Sequence, residues 1–245
     1  MDKHPDYFQF KQFRIYHGSC GLKVGTDGVL LGAWSQLPEG KMRRVLDVGC
    51  GTGLISIMLA QRFADAHITG IDIDANAVSQ AASNAALSPW SERLSFHQGD
   101  IADYANSFSR PQFDAIVSNP PFFEESFLPP SPARAAARHT SFMPLPRLAD
   151  AAATLLNTEK GLFCTILPAV SASSFIDLCA DRGLQLIRFT RVLTSTHRPP
   201  KRALLCFQLT DSHPQYVAVS TLPLFGNGPH GRSTAYEALT KDFYL

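Results

Sequence analysis

From Arg44 onward, short apolar segments that could each form one strand alternate with segments of helical periodicity. This alternation is typical of an α/β fold in which helices cover both faces of a mostly parallel sheet. Seven strands are predicted, at residues 44–48, 67–72, 94–98, 113–118, 161–167, 184–192 and 202–209. Helices are predicted at residues 54–62, 75–86, 145–156 and 170–182. The last two strands leave no room for a helix between them, so we expect the last strand to run antiparallel, at or near an edge of the sheet.

The 245 residues, 45% of them hydrophobic, fit a single domain. We divide it into an amino-terminal arm (1–43), a core (44–210) and a carboxy-terminal tail (211–245). In the arm, the glycines within residues 18–21 favour a hairpin turn, and a short helix should begin at Thr26 or Asp27, which are both good N-cap residues. Residues 124–139 have no clear period and are predicted to form a lid loop.

Composition limits the partners and the compartment. The formal net charge of +1 gives no global attraction for a polyanion, so nucleic-acid binding would depend on local patches. The chain has five cysteines, an odd number without a Cys-x-x-Cys pair, which argues against a zinc ribbon or a disulfide framework and favours a reducing cytosol. We find no apolar signal core and no apolar run long enough to span a membrane, and we expect neither a membrane nor a metal partner.

A glycine turn follows the first strand of the core. Residues 45–53 read Val-Leu-Asp-Val-Gly-Cys-Gly-Thr-Gly, and glycines at Gly49, Gly51 and Gly53 let the backbone approach a ligand closely at a helix amino terminus. Leu54 stands where a dinucleotide-binding fingerprint requires its third glycine, and a phosphate-binding Gly-Lys-Ser/Thr loop is missing. The pattern favours an adenosine cofactor without a pyrophosphate, namely S-adenosylmethionine (SAM), with Asp47 near its ammonium group. The alternative is a purely structural turn.

Acidic residues end the next two strands. Asp72 lies where a carboxylate can accept both hydroxyl groups of a ribose, whereas Asp74 should cap the following helix. Asp100 is a candidate acceptor for the adenine amino group, with Ile101 or Ile73 covering the ring. The alternative role for Asp100 is a helix N-cap.

Asn119, Pro120, Pro121 and Phe122 follow the fourth strand, at the edge where open α/β sheets bind ligands. The side-chain oxygen of Asn119 and the carbonyl oxygen of Pro120 could accept the two hydrogens of a planar amino group and turn its lone pair toward a methyl donor. Phe122 would stack on the substrate. Most of the rate would come from positioning, and a strong general base is not required. The alternative interpretation is a strand stop.

The glycine turn, Leu46-Asp47-Val48-Gly49-Cys50-Gly51-Thr52-Gly53, together with Asn119-Pro120-Pro121-Phe122 resembles the class I, Rossmann-like SAM-dependent N-methyltransferases. One branch is favoured by residues 23–28 (Lys-Val-Gly-Thr-Asp-Gly), 138–140 (Arg-His-Thr), 200–202 (Pro-Lys-Arg) and 239–245 (Leu-Thr-Lys-Asp-Phe-Tyr-Leu). These resemble the bacterial tRNA(Val) adenine N6-methyltransferases, which modify the adenine 3′ of the anticodon. The resemblance implies that residues 119–122 hold the adenine, that Gly25 and Thr26 help to close the SAM pocket, and that the enzyme is cytoplasmic.

An RNA substrate requires cations. We assign phosphate contacts, which carry affinity without reading sequence, to Lys11, Arg14, Arg138, Arg198, Lys201 and Arg202. The alternative for these residues is an ordinary solvated face.

Three other functions fit parts of the pattern. A glutamine side chain fits the same two acceptors, but protein glutamine N5-methyltransferases usually carry an amino-terminal helical domain, for which 43 residues leave little room. An rRNA guanine N2-methyltransferase is also possible. A non-catalytic SAM- or RNA-binding module would not need Asp47, Asp72 and the complete Asn-Pro-Pro-Phe motif.

Overall fold

The computed structural model describes residues 6–18, 24–40, 43–121, 143–158, 160–210, 216–228 and 231–245. The strands within these ranges are β1 (Tyr7–Gln9), β2 (Arg14–Tyr16), β3 (Arg44–Val48), β4 (His67–Asp72), β5 (Leu94–Gln98), β6 (Ala115–Ser118), β7 (Leu162–Pro168), β8 (Leu184–Leu193), β9 (Pro200–Leu209) and β10 (Ala218–Pro223). The α-helices are α1 (Thr26–Trp34), α2 (Leu54–Arg62), α3 (Ala75–Ala86), α4 (Ile101–Asn106), α5 (Leu145–Leu155), α6 (Ala172–Ala180) and α7 (Thr234–Thr240).

Eight strands form one sheet in the order β10-β8-β9-β7-β6-β3-β4-β5. Strand β9 runs antiparallel to both of its neighbours, and every other pair is parallel. This arrangement confirms the predicted α/β, Rossmann-like sheet with an antiparallel strand. All seven predicted strands are present, with ends within two residues of the prediction. The antiparallel strand lies between β7 and β8, inside the sheet.

The prediction of seven strands is one too few. The eighth strand, β10, pairs with β8 at the edge of the sheet, from Ala218 opposite Arg188 to Pro223 opposite Leu193. Its first four residues are exposed, and Leu222 is its buried residue. A strand with one residue in the core lacks the alternating pattern by which strands are recognised in a sequence. This strand lies in the segment that we assigned to the tail.

The helix predictions hold for the central elements. Helices α2 and α3 have the predicted bounds, α5 ends one residue earlier than predicted, and α6 is shorter because its amino-terminal turn is a 3-10 helix (Ala169–Ser171). Helix α1 is present, but the expected N-cap was wrong: Thr26 and Asp27 lie within the first turn, and the N-cap is Gly25, without a side-chain hydrogen bond. Asp74 caps α3 by accepting a hydrogen bond from the Asn76 amide at 2.9 Å, as predicted. Helices α4 and α7 were not predicted.

The amino-terminal arm contains a hairpin between residues 7 and 16, whereas the turn predicted at residues 18–21 lies almost wholly outside the described residues. Strands β1 and β2 pair antiparallel, and the turn between them is closed by a 2.9 Å bond from the Phe10 amide to the Phe13 carbonyl. The rings of these two residues are buried and stacked, with centroids 4.6 Å apart, so burial of aromatic surface fixes the turn here. Residues 19–23 lie outside the described ranges.

Helices cover both faces of the sheet. Leu46 and Val48 of β3 face the cluster formed with α4, α5 and α6, whereas Val45 faces the cluster formed with α1, α2 and α7. Because both faces of the sheet are buried, the central strands consist mostly of apolar residues. Packing on both faces holds the ends of these strands in fixed positions. Among the helices that the structure describes, none combines the length and the hydrophobicity that crossing a bilayer requires.

Candidate functional site

The glycine turn, Asp72, Asp100 and Asn119 lie at the carboxyl ends of four adjacent parallel strands, β3, β4, β5 and β6. Hydrogen bonds join these strand ends. The Gly49 amide donates to the Ile71 carbonyl at 2.8 Å, and the Gly99 amide donates to the Asp72 carbonyl at 2.9 Å. The fold therefore brings the glycine turn, the two acidic strand ends and Asn119 to one edge of the sheet, as the sequence predicted.

The glycine turn is open on its outer side. Gly49, Gly51 and Gly53 have φ angles of +71°, +55° and +78°, which other residues rarely adopt. A Cβ atom on Gly51 would meet no described atom within 4 Å, and one on Gly49 would meet the Met143 methyl group at 3.5 Å. By contrast, a Cβ on Gly53 would lie 3.1 Å from the Cβ of Ala81, so Gly53 permits close helix packing. Space for a ligand therefore lies over Gly51.

Asp47 is fully buried beneath this turn. Its Oδ2 accepts hydrogen bonds from the Ser56 hydroxyl at 2.6 Å and from the Ser56 amide at 3.1 Å, whereas Oδ1 is buried without a partner among the described residues. Burial raises the pKa of Asp47 from 3.8 to about 7, against the lowering effect of the Ser56 hydrogen bonds, and the nearby charge of Asp72 raises it further. A cation placed against Oδ1 would restore the ionised form.

Asp72 links the glycine turn to β4. Its Oδ2 accepts the Gly51 amide hydrogen at 2.9 Å, and its Oδ1 accepts that of Asp74 at 3.0 Å. An ionised carboxylate has about four lone-pair sites, so each oxygen can still accept a hydroxyl group. The adjacent Ile73 is 49% exposed at the same edge, where an apolar side chain can cover a ring.

Asp100 has the capping role that we held as the alternative. Its Oδ1 accepts the Ala102 amide hydrogen at 2.8 Å at the start of α4. The other oxygen lies 3.7 Å from Nη1 of Arg147, an exposed cation in the first turn of α5. Ile101 is packed in the core, so of the two isoleucines Ile73 is the one whose position suits contact with a ligand.

Asn119 follows β6 directly. Its side-chain oxygen is buried and accepts no hydrogen bond within the described part of the chain. Pro120 is buried and Pro121 is half-buried, and their fixed φ angles restrict the backbone that follows Asn119. Phe122 and the predicted lid at residues 124–139 lie outside the described residues.

The predicted RNA-contacting residues fall into two groups. Arg198 is exposed between β8 and β9, and Lys201 is exposed at the start of β9. The neighbouring Arg202 pairs with Pro168 at the carboxyl end of β7, so Arg198 and Lys201 both lie at the same edge as Asn119. Arg202 is partly buried and pairs with Asp27 of α1 at 2.8 Å. The exposed Lys11 and Arg14 belong to the β1–β2 hairpin and its turn; Lys11 donates to the Lys241 carbonyl at 2.6 Å. Arg138 lies outside the described residues.

Three residues near the turn were missed. Ser56 binds Asp47, Arg147 faces Asp100, and Asn84 donates a hydrogen bond of 2.9 Å to the Thr52 carbonyl in the glycine turn. Asn84 had a signal in the sequence, because it is a polar residue in the buried stripe of α3 that also contains Ala81 and Ala85. Gly25 and Thr26, which we expected near the SAM pocket, are exposed at the start of α1.

The site fits SAM. Its chemical groups match three features of the site: the open space over Gly51, the buried Asp47 oxygen that has no partner among the described residues and can meet a cation, and the two Asp72 carboxylate oxygens that can accept hydroxyl groups. Within the described ranges, no group of three or more His, Cys, Asp and Glu side chains could hold a metal ion.

Comparisons with known proteins agree with this geometry. A family model described as a methyltransferase domain matches residues 39–176. A solved structure of a predicted O-methyltransferase from Agrobacterium tumefaciens aligns with a TM-score of 0.67 over 89% of this chain and 96% of that chain, at 16% identity, which shows the shared fold.

Much more similar relatives match almost end to end. A protein from Phocaeicola vulgatus named tRNA1(Val) (adenine(37)-N6)-methyltransferase is 45% identical over 98% of this chain and 97% of its own length. A protein of the same name from Escherichia coli O157:H7 is 40% identical over 97% of this chain and 94% of its own length. With this identity and this coverage, the chain belongs to the tRNA1(Val) (adenine(37)-N6)-methyltransferase family, within the Rossmann-like class I methyltransferases.

Proposed function

We propose that this protein transfers the methyl group of SAM to the N6 amino group of an adenine in tRNA, and that the adenine is the one next to the anticodon of tRNA(Val). The activity named for its relatives supports the reaction and the substrate class. The structural observation that carries the proposal is the buried side-chain oxygen of Asn119, which has no partner among the described residues and lies at the strand end beside the glycine turn.

An adenine amino group is a poor nucleophile because its lone pair is delocalised into the ring. Asn119 Oδ1 and the Pro120 carbonyl oxygen accept hydrogen bonds from its two N–H groups. These bonds direct the nitrogen lone pair toward the glycine turn. SAM supplies a methyl group made electrophilic by its sulfonium. The amino nitrogen becomes acidic as it gains the methyl group, so its proton can leave to water, and positioning by the chain supplies most of the rate.

The cofactor residues divide by the group that each one meets. Asp47 faces the ammonium group, and its buried oxygen gains the cation that it lacks among the described residues. Asp72 accepts hydrogen bonds from the ribose hydroxyl groups of SAM, and Ile73 covers the adenine ring of SAM. Asp100 accepts a hydrogen bond from the amino group of the SAM adenine through the oxygen that does not cap α4. Gly25 and Thr26 close the SAM pocket from the start of α1.

The RNA approaches along the edge that carries Asn119. Arg198 and Lys201 are exposed there and contact phosphates, and Lys11 and Arg14 extend the contact along the amino-terminal hairpin. Phe122 and Arg138 complete the adenine and RNA contacts. The partner is the anticodon region of the tRNA.

Residues 1–245 act as one domain, because β10 of the carboxy-terminal segment belongs to the same sheet as β3. The four cysteines that the structure describes are buried free thiols, which suits the reducing cytoplasm.

The test offers the protein labelled SAM with total tRNA, ribosomal RNA and a protein extract in parallel, followed by nucleoside analysis. We expect label in tRNA as N6-methyladenosine. Transcripts of tRNA(Val) with the adenine beside the anticodon replaced by guanine should accept no label, whereas replacement of an adenine in the acceptor stem should leave transfer unchanged. Label confined to protein or ribosomal RNA contradicts the proposed function.

A further inference from the structure

Val48, Ser118 and Thr165 lie side by side on the neighbouring strands β3, β6 and β7. Two hydroxyl groups join them. The Ser118 hydroxyl donates to the Val48 carbonyl at 2.8 Å, and the Thr165 hydroxyl donates to the Ser118 carbonyl at 2.8 Å. Both hydroxyl-bearing residues have 0% exposure, so water does not compete for these bonds.

The two carbonyl groups occupy particular positions in the chain. That of Val48 belongs to the peptide that enters the glycine turn at Gly49, and that of Ser118 belongs to the peptide that enters Asn119. The two side-chain hydrogen bonds therefore join the strands at the points where the chain leaves the sheet for the glycine turn and for Asn119.

Packing does not explain the hydroxyl of Thr165. Every residue of β7 is buried, and valine would fill the same volume in this strand without a polar group. A buried hydroxyl is tolerated when it is hydrogen-bonded, and Thr165 meets that need through the peptide in front of Asn119. The bond fixes the backbone on the amino side of Asn119, and Pro120 restricts it on the carboxyl side. The Asn119 side-chain oxygen takes no part in this chain of bonds.

We propose that Thr165 and Ser118 are positioning residues for methyl transfer. Thr165 sets the direction of the Asn119 carboxamide, and Ser118 sets the distance between Asn119 and the glycine turn. This inference rests on the proposed function, in which Asn119 holds the adenine. The two residues differ in the position that each one fixes. The Thr165 hydroxyl bonds only the carbonyl that leads into Asn119, whereas the Ser118 hydroxyl bonds the carbonyl that leads into the glycine turn.

The test compares Thr165→Val, Thr165→Ser and Ser118→Ala with a matched control, Thr240→Val. Thr240 is 1% exposed and its hydroxyl donates to the Tyr236 carbonyl at 2.8 Å within α7, so the control removes the same kind of bond from a helix outside the site. For each variant, kcat and KM are measured with tRNA, the Kd for SAM by calorimetry, and Tm by thermal unfolding.

We expect Thr165→Val to lower kcat by about tenfold to a hundredfold, the effect of a small misplacement of a reacting group, while the Kd for SAM changes by less than about twofold. Thr165→Ser keeps the hydroxyl and should recover most of kcat. Ser118→Ala should lower kcat and also weaken SAM binding. Thr240→Val should lower Tm about as much as Thr165→Val and leave kcat unchanged.

The inference is overturned if Thr165→Val keeps the kcat of the unmodified protein, or if Thr165→Ser is as impaired as Thr165→Val, which would assign the effect to shape. It is also overturned if kcat falls equally in Thr240→Val, which would assign the effect to stability. The unmodified protein serves in the same assay. If it makes no N6-methyladenosine in tRNA, the proposed function itself fails. In that case the Kd for SAM and the Tm of Ser118→Ala still report whether Ser118 holds the glycine turn.

Discussion

The side-chain amide of Asn84 donates hydrogen bonds of 2.9 Å to the carbonyl oxygens of Thr52 and Tyr16. Its side-chain oxygen accepts the Tyr16 amide hydrogen at 3.0 Å, and the residue is 1% exposed. One buried carboxamide on α3 thus ties the end of the amino-terminal hairpin to the glycine turn. The hairpin and the proposed cofactor site are therefore mechanically coupled.

Asn84→Ala should lower the free energy of unfolding by about 2–3 kcal/mol, because one buried and two partly buried backbone groups lose their partner. It should also weaken SAM binding, since the turn loses its tie to α3. Urea unfolding and calorimetry measure the two effects. The control is Ser83→Ala, an exposed neighbour whose hydroxyl bonds the Ser79 carbonyl of its own helix; a change within about 0.5 kcal/mol is expected there. Equal unfolding midpoints for the two variants would contradict the coupling.

Asp47 should make the stability of the ligand-free protein fall as the pH rises. Its pKa is about 7 in the folded state against 3.8 for the free group, because burial disfavours the charge. Folded protein thus holds a proton that the unfolded chain has released, so this stabilising contribution is complete below about pH 4 and is lost as the pH rises through about 7. Relative to Asp47→Asn, the protein should lose about 2–3 kcal/mol between about pH 5 and about pH 8. Parallel pH profiles for the two proteins in urea unfolding would refute this.

Local signals in the sequence were sufficient for the central sheet. The apolar runs of β3 and β4 and the alternating apolar residues of β5 each end at a glycine or a polar residue, and the bounds of these strands agree with the prediction. The same runs predicted the glycine turn and the edge at which Asp72 and Asn119 meet, because parallel strands share their carboxyl edge.

Features that depend on distant residues could not be read from the sequence. Arg202, which we predicted to contact RNA, also pairs with Asp27, and the sequence gives no sign of this pair because Asp27 precedes Arg202 by 175 positions. The cap formed by Asp100 was one of two open alternatives, because an aspartate between a strand and a helix suits a ligand as well as an amide. Strand β10 escaped prediction because its support comes from pairing with β8 and hardly from burial.

Asn119→Ala should lower kcat with tRNA by at least about a hundredfold, comparable to the loss of one hydrogen-bonding group from a preorganised site. The Kd for SAM should change little, because Asn119 meets the substrate amino group. Radiolabel transfer and calorimetry separate the two effects. Asn106→Ala, an exposed position at the end of α4, is the control and should keep full activity. Near-normal turnover of Asn119→Ala would remove this residue from the proposed mechanism.

Replacing Arg198 and Lys201 with alanine should weaken tRNA binding and leave SAM binding unchanged. Both residues are exposed at the edge that carries Asn119, whereas Arg202 is left in place because it pairs with Asp27. Each lost phosphate contact should reduce the slope of log Kd against log salt by about 1. Arg110→Ala is the control, because this exposed arginine precedes β6 and lies toward the opposite edge of the sheet. If the double variant binds tRNA with unchanged affinity and salt slope, the RNA takes another path, and the remaining exposed candidates are Lys11 and Arg14 of the hairpin.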